Sequence, residues 1–113
     1  MEKLKPVVIK DEFGNEKYVL EFNREAVRKA EASGFAIAKA EDKLFTTMED
    51  LFFFAFYKNH PKMTRQEVDN VREEIGGISD ALFTRLADLY AETINSLIAN
   101  EESQKNAKLT VCL

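Results

Sequence analysis

His60 is the single histidine of the chain and Cys112 its single cysteine, so no cluster of cysteines and histidines is there to hold a metal. A zinc site at His60 would have to be completed by Asp and Glu, an uncommon donor set, because zinc draws on clustered cysteines and histidines. Cys112 has no second thiol to pair with inside this chain and is read as a frayed tail thiol. The acidic pairs Glu73-Glu74 and Glu101-Glu102 are adjacent, so on a helix they diverge and stay solvated. Gly76-Gly77 lacks the lysine and the spacing of a phosphate loop. With no nucleophile beside a base, the sequence predicts a protein that is not an enzyme and carries no cofactor and no metal. His60 is assigned a helix-end or packing role.

The most unusual stretch is Thr46 to His60, TTMEDLFFFAFYKNH, where Leu51 to Tyr57 form an unbroken apolar run containing four of the nine phenylalanines. On a helical wheel Met48, Leu51, Phe52, Ala55 and Phe56 share a core-facing side, and Phe53, Phe54 and Tyr57 fall opposite, among Glu49, Asp50 and Lys58. A helix apolar all round is either buried on every side or meets another chain, and both readings stand on sequence alone. Thr46 and Thr47 with Glu49 and Asp50 resemble capping boxes, and His60-Pro61 stops the element. The expected helix runs from about Met48 to Asn59.

The other elements follow from local patterns. Val7 to Phe22 reads as a β-hairpin turning at Gly14-Asn15, with Tyr18, Leu20 and Phe22 on one face. Asn23 caps a helix over about 24–33, with Ala26, Val27 and Ala30 inward, closed by Gly34. Ala36 to Phe45 reads as a connection with about one helical turn. Thr64 and Glu67 form a capping box for a helix over 65–75, with Met63 stapled to Val68. Ser79 caps a last helix over about 80–100 with apolar residues from Leu82 to Ile98 at helical spacing, and 101–113 reads as a flexible tail. The expected fold is α+β, mainly α: one domain over 1–100, an N-terminal hairpin followed by about four helices packed as a small bundle.

Twenty acidic against sixteen basic side chains give a net charge of −4, which disfavours bulk attraction to nucleic acid or anionic membranes. No stretch reaches eighteen apolar residues and Met1 to Glu12 lacks the apolar segment of a signal peptide, so cytoplasmic residence is expected. The pair of helices around Gly76-Gly77 has the outline of a helix-turn-helix, leaving a small DNA-binding regulator as an alternative. Its second helix, however, starts Asp80-Ala81-Leu82-Phe83, with only Thr84 and Arg85 suited to reading bases.

The order of elements and several segments resemble the tail assembly chaperone-like proteins of long-tailed bacteriophages and prophages. The segments are Tyr18 to Val27 (YVLEFNREAV), Glu31 to Phe35 (EASGF), Leu51 to Phe56 leading to His60, and Leu86 to Glu92 (LADLYAE) with Ser96-Leu97; together they span about residues 16–98. This resemblance implies a non-enzymatic assembly factor that binds the tape measure protein, keeps it soluble, helps recruit tail tube protein around it, and is absent from the mature virion. It also implies that 113 residues is the short form where a programmed frameshift yields a longer one. A structural tail or head-tail subunit is a further alternative. For an amphipathic helical client, Phe53, Phe54 and Tyr57 are the expected partner-binding residues, or the residues of a homo-oligomer contact.

Overall fold

Alternating β-branched and aromatic residues around a turn rich in Asp, Gly and Asn produce an antiparallel hairpin, β1 (Val7–Lys10) and β2 (Glu16–Leu20). Four α-helices follow: α1 (Arg24–Ala32), α2 (Leu44–Ala55), α3 (Arg65–Glu74) and α4 (Asp80–Asn95), with a 3-10 helix at Ile37–Glu41 before α2. The chain is therefore α+β and mainly α. A computed structural model describes residues 3–98 and 104–113. The expected end of the last helix at Asn100 and the Glu101-Glu102 pair lie outside the described residues.

Asp11 organises the hairpin turn. Its carboxylate accepts the N–H groups of Phe13 and Asn15, both at 2.9 Å, while Gly14 takes φ +84°. That conformation strains any residue with a Cβ, which explains the glycine. Tyr18, Leu20 and Phe22 face inward as their alternation requires; Leu20 and Phe22 are buried and Tyr18 is half-buried.

The β2 edge of this two-stranded sheet is closed by the end of α2 and the loop after it. The Val19 N–H donates to His60 Nε2 at 3.1 Å, and Asn59 Nδ2 donates to the Val19 carbonyl at 3.1 Å and to Glu21 at 3.0 Å. Glu21 N–H then donates to the Ala55 carbonyl at 3.1 Å. The loop after α2 thus stands where a third strand would, and a hairpin too small to be stable alone becomes part of the domain. Around His60 the rings of Tyr18 and Phe56 lie at 5.4 and 6.1 Å, so the histidine has the packing and helix-end role expected of it.

Caps match the sequence at three helices. Asn23, Thr64 and Ser79 each accept a first-turn N–H, and Thr64 with Glu67 forms the reciprocal capping box. Thr64→Ala is expected to lower stability by ~1 kcal/mol, seen as a lower urea midpoint with an unchanged slope. Gly34 at φ +92° ends α1, and Phe35 folds back with its N–H on the Ala30 carbonyl at 3.0 Å.

The central helix departs from expectation at both ends. It begins at Leu44, and its N-cap is Lys43, which makes no side-chain capping bond; Thr46 and Thr47 lie inside the first turns, with Thr47 buried. Helix formers from Ala36 onward let the chain wind as 3-10 and then α before the threonines are reached, and burial of Thr47 against the core outweighs its capping tendency. At the other end regular α-helix stops at Ala55, and Phe56 and Tyr57 continue in tighter turns, bonded to the carbonyls of Phe53 and Phe54. The Asn59-His60 contacts with β2 hold that tightened end.

α4 is likewise shorter than its apolar pattern suggests. Thr93 Oγ1 bonds the carbonyls of Leu89 and Phe22, and Ser96 Oγ bonds that of Thr93 at 2.6 Å. Hydroxyls competing for backbone acceptors favour a helix end here. Leu97 and Ile98 follow it exposed rather than extending the core stripe, whose buried members are Leu86, Leu89 and Tyr90. The core itself lies where α2 packs on α1, α3 and α4, with Leu51, Phe52 and Phe56 at its centre.

Among the described residues three carboxylates are held below their usual range. Asp11 is lowered chiefly by the Asn15 N–H and Glu67 by the Thr64 N–H. At Glu21 partial burial pushes upward, but the bonds from Lys58 and Asn59 outweigh it and the net shift is downward. A depressed carboxylate contributes stability above its unfolded value and loses it as pH falls through the folded one. The melting temperature is therefore expected to fall below about pH 4, and Glu21→Gln to flatten that acid limb by removing the Lys58 partner, which lies 2.8 Å away.

Candidate functional site

The residues expected to bind a partner are divided by the structure. Phe54 is 5% exposed and packs on Phe53 and Phe35, with ring centroids 5.1 and 6.5 Å away. Its place on an outward face is therefore corrected: α1 and the Phe35 turn cover the side of α2 that the wheel left bare. Phe53 and Tyr57 are half-buried, and each is capped by a cation of the same chain. The Arg65 guanidinium lies 4.7 Å from the Phe53 ring and is anchored by Asp50 at 2.6 Å; the Lys29 ammonium lies 5.2 Å from the Tyr57 ring. Such contacts satisfy an aromatic face without another chain.

The open apolar surface lies one to three turns earlier on α2. Leu44 is 52% and Phe45 72% exposed. Phe45 and Met48 form one wall of a groove of about 530 Å³, and Gly76, Gly77 and Ile78 form the other. An ion pair fixes the spacing of these walls: Arg72 on α3 reaches Glu49 on α2 at 2.7 Å, and Asp69 lies 3.8 Å from the same guanidinium. Both glycines have positive φ, +84° and +100°, and no heavy atom lies within 4 Å of where a Cβ would stand. The turn that closes α3 therefore leaves bare backbone along the groove.

Sequence reasoning missed this site because it began the helix at Met48. With α2 starting at Leu44, Phe45, Met48 and Phe52 fall at i, i+3 and i+7 on one side of the helix, and the first of them overhangs the Gly76-Gly77 turn. The helix formers before Leu44 were the available signal.

Among the described residues no group of three or more His, Cys, Asp or Glu side chains is placed to hold a metal ion. His60 Nε2 is taken by a backbone N–H. On the α3–α4 pair, Arg85 turns its guanidinium to the Lys5 carbonyl at 3.3 Å, so this cation is engaged within the chain. No described helix is long and apolar enough to cross a membrane.

The described residues thus form a small α+β, mainly α domain with an apolar groove open beside α2. Along residues 1–113 the chain matches the family described as domain of unknown function DUF5055, and it belongs to that family. No curated protein matches it, and no solved structure does.

Proposed function

We propose that this protein is a non-enzymatic binding module of the tail assembly chaperone kind, acting in the bacterial cytoplasm on a long helical client of the tape measure type and helping tail tube subunits to gather on it. The observation that carries the reading is the exposed apolar groove at Phe45, Met48 and Ile78. Its walls are set by the Glu49–Arg72 pair. A groove between two helices suits the apolar stripe of an amphipathic helix, whose anchors enter at i, i+3 and i+4. Resemblance of the segments between residues 16 and 98 to tail assembly chaperone-like proteins supplies the identity of the client.

This reading expects a very long, coiled-coil-rich protein to be encoded immediately downstream, and the test is co-expression with it. The wild type is expected to keep that protein soluble and to co-purify with it. Phe45→Glu, at an exposed position where the fold is indifferent to the change, is expected to abolish co-purification while its melting temperature stays within about 2 °C of wild type. An insoluble client beside a free wild-type monomer overturns the proposal.

A further inference from the structure

Among the described residues no strand pairs with the second edge of the hairpin. Because the Val19 N–H and carbonyl are occupied by His60 and Asn59, and Val19 stands opposite Val8, this is a pair at which the two strands exchange no hydrogen bonds. Val8 therefore turns its own N–H and carbonyl outward, along the edge of β1 where no strand runs. Beside it Val7 and Ile9 are only half-buried. Pro6 offers no N–H and Lys10 carries a charge, so the pairing-competent edge is short and centred on Val8.

Elsewhere in the same chain lies an apolar segment without a place. Leu109-Thr-Val-Cys-Leu113 alternates apolar and smaller residues with the period of a strand, yet Leu109 and Val111 are 90% and 82% exposed. Within the chain the segment pairs with no described strand.

We infer that β1 is a docking edge for the Leu109–Leu113 segment of a second copy of this chain, which adds as an antiparallel third strand. The side-chain alternation sets the register. With Thr110 opposite Val8, Leu109 falls beside Ile9 and Val111 beside Val7, on the face that packs against the core; a slip of one residue would turn all the apolar tail residues to solvent. Thr110 then exchanges both peptide hydrogen bonds with Val8. Each copy has one edge and one segment, so reciprocal exchange closes a symmetric dimer and leaves neither exposed.

Two variants and a mass measurement test the inference. The monomer is 12.9 kDa, and light scattering on the eluting full-length protein is expected to give about twice that mass at high concentration, falling to the monomer on dilution. Val8→Pro deletes an N–H that the hairpin ladder does not use, and Val111→Lys places a charge in the added strand. Both are expected to weaken dimerisation at least tenfold, with the melting temperature of the diluted monomer unchanged. Amide exchange at Val8 and Thr110 should slow together on dimerisation. A monomer at every concentration overturns the proposal, whether its segment is unprotected or is slowed within one chain. So does a dimer that survives both substitutions.

Discussion

Phe54→Ala is expected to destabilise the domain by ~3–5 kcal/mol, a large part of the ~5–15 kcal/mol that a domain of this kind possesses. The side chain is 5% exposed and fills the space between the turn at Phe35 and the ring of Phe53. Neighbouring helices already in contact have little freedom to collapse into the void, so both the lost transfer energy and the cavity contribute. Phe53→Ala, one residue earlier, removes a half-buried ring and its stacking on Arg65, for which ~1–2 kcal/mol is expected. Urea denaturation of the two variants measures the contrast. Equal losses would show that Phe54 is not the inward residue of the pair. The same contrast decides which variants can probe partner binding: a Phe53→Ser, Phe54→Ser double variant is expected to unfold the domain and report only on the core, whereas Phe45→Glu, at a residue 72% exposed, is expected to leave it standing.

Caps and alternation made most of the fold legible. Asn23, Thr64 with Glu67, and Ser79 announce their helices because a side-chain acceptor satisfies a local N–H, and such bonds depend on few residues. Tyr18, Leu20 and Phe22 announce their face for the same local reason. What the wheel could not supply for α2 was the identity of its neighbours. Phe53 and Phe54 are one residue apart on a helix that is apolar on all sides, and only the positions of Phe35 and Arg65, distant in sequence, make one core and the other half-exposed. The groove at Phe45 was hidden for a related reason. Its walls come from α2 and from the Gly76-Gly77 turn, joined by the Glu49–Arg72 pair, and no sequence period links residues so far apart.

His60→Leu is expected to cost ~1–3 kcal/mol and to loosen the hairpin selectively. Leucine fills most of the ring's place beside Tyr18 and Phe56 but offers no acceptor, and the part-buried Val19 N–H, now held at 3.1 Å by Nε2, is left without its partner. The loss should be local. Exchange of the Val19 and Glu21 amides is expected to accelerate well beyond that of the α2 and α4 cores, because the Asn59 contacts with Val19 and Glu21 come from the same short loop. His60→Gln, whose side-chain oxygen can accept the same N–H, is expected to recover part of the loss. Adding Asn59→Ala to His60→Leu should cost less than the sum of the two, since one detachment of the strand removes both contacts. If His60→Leu instead leaves β2 exchange at its wild-type rate, burial of Leu20 and Phe22 alone holds the hairpin, and the loop after α2 merely lies beside it.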